Sequence, residues 1–322
     1  MNFRRLGQTG LSCSVLGLGT GKLAALSSGV STANALRLIA VAADFGINFI
    51  DTADSYGQGE SEKVIGKALR GKRDKFIIAT KAGYRFSRFI GLVCLAKPLL
   101  KRVLRGGGRK LAGDIRSGAP KSKILRQDFS PQHIRRAVEG SLRRLQTDYV
   151  DLFFLHDVPI EALGVDELFD RLGELKRAGK IRHFGVSSNH AAVLESARRR
   201  PGVTLAQTAI NPARPADLWP VLSRLESAGF GVVANQIFNS GKLLAAKDPV
   251  FQERIERVRQ NRQMSAQQIL IQFAAAQPAV FSVLTGTTNP AHLRQNVEDL
   301  LSTSALTMEE IAFLRGATRT IE

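Results

Sequence analysis

The feature that most constrains this chain is a rhythm. A short apolar run is followed by a longer amphipathic segment, eight times over. The strand-like runs lie at 15–19, 48–51, 76–81, 149–156, 183–187, 204–210, 231–234 and 281–285. Helical spacing of apolar residues appears at 32–45, 60–69, 131–145, 165–178, 190–199, 216–227, 265–276 and 290–300. Such alternation predicts an α/β chain closed into a (β/α)8 TIM barrel. Runs such as VDLFFL and FIIAT are apolar at nearly every position, as parallel strands covered on both faces must be. Ser130 followed by Pro131 reads as a helix N-cap with proline at the first helical position. The whole of residues 1–322 is expected to form one barrel domain.

Two stretches break the rhythm. Residues 3–14, FRRLGQTGLSCS, read as a hairpin ahead of the first barrel strand, turning at the glycines of GQTG. Residues 84–129 form a long insertion after the third strand. The chain's net charge of +18 is concentrated there, because residues 85–126 hold twelve Lys/Arg against one acid, Asp114, a net +11. The rest of the chain is only mildly basic. Within the insertion, FIGLVCLAKPLLKRVLRGGGRK mixes apolar and basic residues at roughly helical spacing. It is expected either to be a solvated basic loop or to make a weak contact with an anionic surface, membrane or partner. It has two aromatics, Phe86 and Phe89, and no stacking pattern, so nucleic acid is not an expected partner.

Other classes fall away quickly. Two cysteines, Cys13 and Cys94, make no disulfide framework, and the five histidines are scattered without metal-ligand spacing, so no metal is expected. The start, MNFRRLGQTG, lacks the apolar core of a signal peptide, and no apolar run reaches membrane-spanning length. A cytoplasmic location is the expectation. GLGTG with a later Asp51 imitates a dinucleotide-binding turn, but Lys22 stands where the third glycine belongs and Asp51 comes too late.

In a barrel the loops after the strand C-termini build the active site. Asp51, Lys81 and His156 end the second, third and fourth strands, and Tyr56 follows Asp51 closely. The combination is chemically coherent. A lysine ammonium is expected to lower the pKa of the phenol, and an aspartate to hold the lysine in place. A histidine at the same mouth can bond a substrate oxygen. Asp54, three residues after Asp51, is expected to be a solvated bystander.

The same residues lie in motifs that resemble those of the aldo-keto reductase superfamily over nearly the whole chain. The matching pieces are GLGT (17–20), FIDTADSYGQGESEKVIGKAL (49–69), IATKAG (78–83), YVDLFFLH (149–156), GKIRHFGVSS (179–188), AQTAINP (206–212) and GTTNPAHLRQN (286–296). The resemblance implies a tetrad of Asp51, Tyr56, Lys81 and His156, with Tyr56 as general acid/base. It implies a nicotinamide cofactor extended across the strand C-termini, NADP(H) more than NAD(H). Its carboxamide contacts map to Ser187 and Gln207, with Asn211 nearby and Thr20 close to the nicotinamide. Further cofactor contacts map to Ser188, Asn235, Gly286, Thr287, His292 and Asn296.

The chain departs from the family pattern in three places. Ser188 stands where an asparagine is usual. Asn235, followed by Gln236, Ile237 and Phe238, replaces an aromatic and a Ser-Pro-Leu run, as in some sugar-dehydrogenase-like branches. Gly286, Thr287 and His292 replace the Lys-Ser pair and later Arg that grip a 2′-phosphate, with Arg294 and His292 as substitutes. The implied reaction interconverts an aldehyde, ketone or sugar hemiacetal with an alcohol or lactone. The alternative is a non-catalytic nicotinamide-binding subunit whose basic insertion docks on a membrane or partner. Loops 21–31, 84–129, 212–218 and 236–262 are expected to rim the substrate pocket.

Overall fold

The computed structural model describes residues 1–21, 23, 30–86 and 125–315. An antiparallel hairpin, β1 (Phe3–Arg5) and β2 (Ser12–Ser14), precedes the barrel as expected. The barrel strands are β3 (Leu16–Gly19), β4 (Phe49–Asp51), β5 (Ile77–Ala82), β8 (Val150–His156), β9 (Ile181–Ser187), β10 (Val203–Ala209), β11 (Gly231–Asn235) and β12 (Val280–Thr285). They close in chain order, all parallel, with β12 pairing back onto β3. This is the expected (β/α)8 architecture. Between β5 and β8, β6 (Tyr84–Phe86) and β7 (Leu125–Gln127) pair antiparallel and form the base of the insertion. The expected amphipathic segment lies outside the described residues.

The helices are α1 (Thr32–Asp44), α2 (Glu60–Ala68), α3 (Pro131–Leu145), α4 (Asp166–Arg177), α5 (Ala191–Arg198), α6 (Leu218–Ser227), α7 (Pro249–Arg262), α8 (Ala266–Ala275), α9 (Pro290–Leu301) and α10 (Met308–Arg315). Ser130 caps α3, its hydroxyl accepting from the His133 amide at 3.4 Å, with Pro131 at the first position. Helix α7 corrects the reading of 236–262 as loop. It is very polar and buries only Phe251, Ile255 and Val258, so its apolar stripe is thin. Its start is nevertheless marked in the sequence, because the Asp248 carboxylate accepts from the Phe251 amide at 2.7 Å and Pro249 follows. Helix α10 was also not expected. There the Thr307 hydroxyl and Glu310 carboxylate cap one another's backbone amides.

Apolar residues divide into two cores. The larger lies between the strands and the outer helices. The smaller fills the barrel itself with Phe49, Ile77, Ala79, Leu152, Phe154, Leu205, Val233 and Phe281, and Leu6 of the hairpin plugs the lower end. Side chains alternate along a strand, so the inward series can be followed upward. Phe49 leads to Asp51, Ile77 and Ala79 to Lys81, Leu152 and Phe154 to His156, Leu205 to Gln207. Along these four strands the interior is apolar below and turns polar at the top layer. At Gly7, in the hairpin turn, φ is +45° and an added Cβ would meet the Gly229 carbonyl oxygen at 2.5 Å, so a side chain there would lift the plug.

One buried carboxylate knots the outside of the barrel. Asp151 accepts from Arg73 at 2.7 Å, from the Ile78 amide at 2.9 Å and from Arg182 at 2.9 Å, tying β8 to β5 and β9. The two guanidiniums sandwich the Tyr149 ring at 4.3 and 4.2 Å. Asp151→Ala would leave a buried amide and a half-buried guanidinium without their acceptor. A loss of about 3 kcal/mol in urea unfolding is the expected outcome.

Candidate active site

Three of the four expected tetrad residues stand at the top of the inward series, and the fourth is brought to them by a tight turn. After Asp51 the chain runs through Thr52 and Ala53 into a short helical turn, Tyr56–Gly59. Gly57 and Gln58 adopt left-handed conformations there, with φ of 58° and 60°. The turn folds Tyr56 back over the barrel mouth. Gly21, from the loop after β3, passes the ring so closely that a Cβ would lie 3.5 Å from it.

The four side chains converge. Lys81 Nζ donates to Asp51 Oδ2 at 2.6 Å, to the Thr52 carbonyl at 2.9 Å and to the Tyr56 hydroxyl at 3.4 Å. The His156 ring meets Tyr56 edge-on, with centroids 6.0 Å apart. Lys81 and Asp51 are almost completely sealed, at 1% and 5% side-chain exposure. Burial works against the Lys81 ammonium, but Asp51, and then Tyr56, outweigh it and hold the pKa above its ordinary value. For Tyr56 burial pushes the phenol up, while Lys81 pulls it down without prevailing. The net shift is upward, opposite to the expected one, because the desolvation of a sealed phenol exceeds the help of an ammonium already paired with Asp51. Burial, with Lys81 beside it, drives the His156 imidazole down to about 3, so the ring is neutral at neutral pH.

The residues expected to meet the cofactor's carboxamide join the same network. Gln207 Nε2 donates to Asp51 Oδ1 at 2.8 Å, and the Ser187 hydroxyl donates to Gln207 Oε1 at 3.0 Å. The Thr20 hydroxyl donates to the Asp51 carbonyl at 2.8 Å and accepts from Ser61 at 2.8 Å, so it braces the β3 and β4 loops. The Ser188 hydroxyl accepts from the His190 amide, and Asn211 bonds the Gln236 carbonyl.

Three observations fit a dinucleotide at this rim. Asn235 Oδ1 is sealed from solvent without a partner among the described residues. Gly286 and Gly19 face each other across the β12–β3 seam, where a Cβ on Gly286 would find only the Gly19 carbonyl oxygen, at 3.7 Å. An extended chain can therefore cross without meeting a side chain. Helix α9 then opens beside the seam with Asn289 as its cap. Thr287 is held to the Asn289 backbone, and His292 is exposed on the first turn. Arg294 stacks on Phe45 at 5.0 Å, and Asn296 is buried, its oxygen accepting from Gln267 at 3.0 Å. Metal-binding clusters are absent among the described residues.

Asp54 is a correction. It is partly buried rather than solvated, and Oδ1 is sealed without a partner among the described residues. Burial, then the Glu62 carboxylate, push it up to about 7, with Arg144, the Ser55 amide and Lys81 pulling the other way. Glu62 is itself sealed and accepts from Thr80 and Arg144, each at 2.6 Å. Sequence reading also missed Asp157, Tyr84 and Gln127 at the mouth. The signal was their position, directly after His156 or at the two ends of the insertion.

The folded pKa of Asp54 lies above its unfolded value near 3.8. The folded chain therefore binds the extra proton, and stability rises as pH falls from about 7 toward about 4. Asp54→Asn removes the penalty of the charged form. Its unfolding free energy is expected to exceed the parent's by on the order of 2 kcal/mol at pH 8 and to match it only below about pH 4, read by denaturant titration.

Over residues 15–318 the chain matches the Aldo/keto reductase family. It is similar to the uncharacterized oxidoreductase YqkF of Bacillus subtilis (strain 168), with 30% identity covering 99% of this chain and 97% of that one. It is also 30% identical to a D-threo-aldose 1-dehydrogenase from a Pseudomonas species, over 90% of each chain. Among solved structures, an aldo-keto reductase of Bacillus halodurans in its holo form matches with a TM-score of 0.78, 28% identity, and coverage of 100% of this chain and 98% of that one. With a closed parallel barrel and a family match over nearly its whole length, the chain belongs to the aldo/keto reductase family and is an NAD(P)-dependent oxidoreductase.

Proposed function

We propose that this protein interconverts an aldehyde, ketone or sugar hemiacetal with the corresponding alcohol or lactone, with Tyr56 as the general acid/base. The observation that carries the reading is the unbroken hydrogen-bonded line from Tyr56 through Lys81 and Asp51 to Gln207 and Ser187 at the barrel mouth. The bound nicotinamide dinucleotide supplies the two-electron donor or acceptor. The protein supplies proton transfer and charge stabilisation. Because burial keeps the phenol protonated, Tyr56 stands ready to donate to a carbonyl oxygen. Lys81, 3.4 Å from the phenol oxygen, stabilises the negative charge that donation leaves behind. Asp51, fixed by Gln207, keeps the ammonium in place. Neutral His156 orients the carbonyl oxygen by a hydrogen bond and adds no second positive charge.

We further assign NADP(H) as the preferred cofactor. Family membership supports it, as does the exposed His292 in the first turn of α9, where a helix N-terminus favours phosphate. Arg294, engaged with Phe45, is not the gripping cation in this arrangement. We assign Ser187, Ser188, Gln207 and Asn235 to the carboxamide end. The similarity to a D-threo-aldose 1-dehydrogenase supports sugars within the substrate range.

Two experiments check these assignments. Tyr56→Phe is expected to lower carbonyl turnover by about 10³-fold and to leave dinucleotide binding unchanged in a fluorescence titration. A variant that turns over normally would remove Tyr56 from the role of acid. In the parent protein the alkaline limb of kcat/KM for reduction is expected above pH ~10, since the limb reports the free enzyme's acid. Titration with the two reduced cofactors should show NADPH binding about tenfold tighter than NADH, a difference of about 1.4 kcal/mol. His292→Ala should narrow that gap, and equal affinities in the parent would sink the preference.

A further inference from the structure

The loops after β8 and β9 line an open cavity of about 660 Å³ that shares Asp157 and Ser188 with the mouth of the site. Its lining mixes the apolar Val158, Pro159, Ile160 and Val193 with the polar Gln127, Ser188, Asn189 and His190. Asp157 lines it too. Its Oδ2 lies 3.9 Å from His156 Nε2, and it accepts from the Tyr84 hydroxyl at 2.9 Å. The Asp157 backbone is left-handed, with φ of 49°, and its carbonyl accepts from Gln127 Nε2 at 2.7 Å. Both strands at the base of the insertion therefore clamp this one residue. The carboxylate remains half exposed, at 51%.

Among the described residues no lysine or arginine pairs with Asp157, and His156 is neutral. Tyr56 feels that charge as one of the smaller influences raising its phenol. A fixed carboxylate beside the catalytic imidazole accepts hydroxyl hydrogens well and repels anions. A carbonyl oxygen held between Tyr56 and His156 would put the hydroxyl of its neighbouring carbon next to Asp157. The apolar wall beyond offers packing for the C–H face of a ring.

We propose that Asp157, positioned by Tyr84 and Gln127, is the specificity-determining residue of a subsite for neutral polyhydroxylated substrates. It accepts the hydroxyl next to the reacting carbon and excludes carbonyl compounds that carry a carboxylate or phosphate. The inference rests on the oxidoreductase reading above and narrows its substrate class to aldoses and their like.

The test compares the parent, Asp157→Asn and Tyr84→Phe on three probes: a panel of neutral pentoses and hexoses, 4-nitrobenzaldehyde, and succinic semialdehyde. Asparagine tolerates the left-handed backbone, so the first variant keeps the loop. Asp157→Asn should lower kcat/KM for the aldoses about tenfold or more, chiefly through KM, change 4-nitrobenzaldehyde by no more than about twofold, and raise succinic semialdehyde. Tyr84→Phe should act in the same direction and more weakly. Saturation-transfer NMR on the aldoses gives a readout independent of turnover. Aldose signals in the parent that disappear in Asp157→Asn support the subsite even if no carbonyl is turned over, in which case it is the oxidoreductase reading that fails. The proposal is overturned if all three probes weaken equally in Asp157→Asn, if aldose signals survive in that variant, or if the parent prefers succinic semialdehyde to every aldose.

Discussion

The structure is organised around one ion pair, Lys81 to Asp51, sealed inside the top of the barrel at 2.6 Å. Two charges taken out of water cost more than their attraction returns unless their remaining hydrogen-bonding capacity is met. Here Asp51 Oδ1 takes Gln207, and Lys81 takes the Thr52 carbonyl and the Tyr56 hydroxyl. Those partners come from β4, the turn after it, β5 and β10, on opposite sides of the barrel. The pair therefore does not hold the barrel together. The barrel's apolar layers hold the pair, and strand closure is what makes such a polar layer affordable.

Much of this was legible because a parallel barrel turns sequence parity into position. Phe49 predicts the direction of Asp51, Ala79 that of Lys81, and Phe154 that of His156, since alternate residues share a face. The layer of the proposed site is the point where these three inward series change from apolar to polar. Tyr56 was legible only through its motif, because its place depends on a turn with two left-handed residues rather than on any period. Helix α7 was missed for the opposite reason. Its period is present, but three buried residues among charged neighbours give too thin a stripe to stand out, and only its Asp-Pro start betrays it.

What sequence could not give was environment. Asp54 and Asp157 are both acids in loops at the same mouth, and composition treats them alike. Asp54 meets Glu62 and Arg144, which arrive from α2 and α3, and loses its water. Asp157 meets Tyr84 and Gln127, which arrive from the two ends of a long insertion, and keeps its water. Apart from Glu62, eight residues on, the contacts that separate them span tens of residues in sequence. No local pattern encodes them.

Environment also sets the resting charges of the four residues of the proposed tetrad. An isolated tyrosine beside a lysine would be read as a poised phenolate, but the sealed Tyr56 stays a phenol. An isolated histidine would be read as a half-protonated switch, but the sealed His156 stays an imidazole. The resting site thus carries the charges of Lys81 and Asp51 and no other among the four. Lys81 contributes little to activating Tyr56 beforehand. In the proposed reaction its field is fully used only when the phenol gives up its proton, that is, as negative charge reaches an oxygen 3.4 Å away. An interaction that strengthens along the reaction lowers the barrier, whereas one already satisfied in the resting enzyme would only bind.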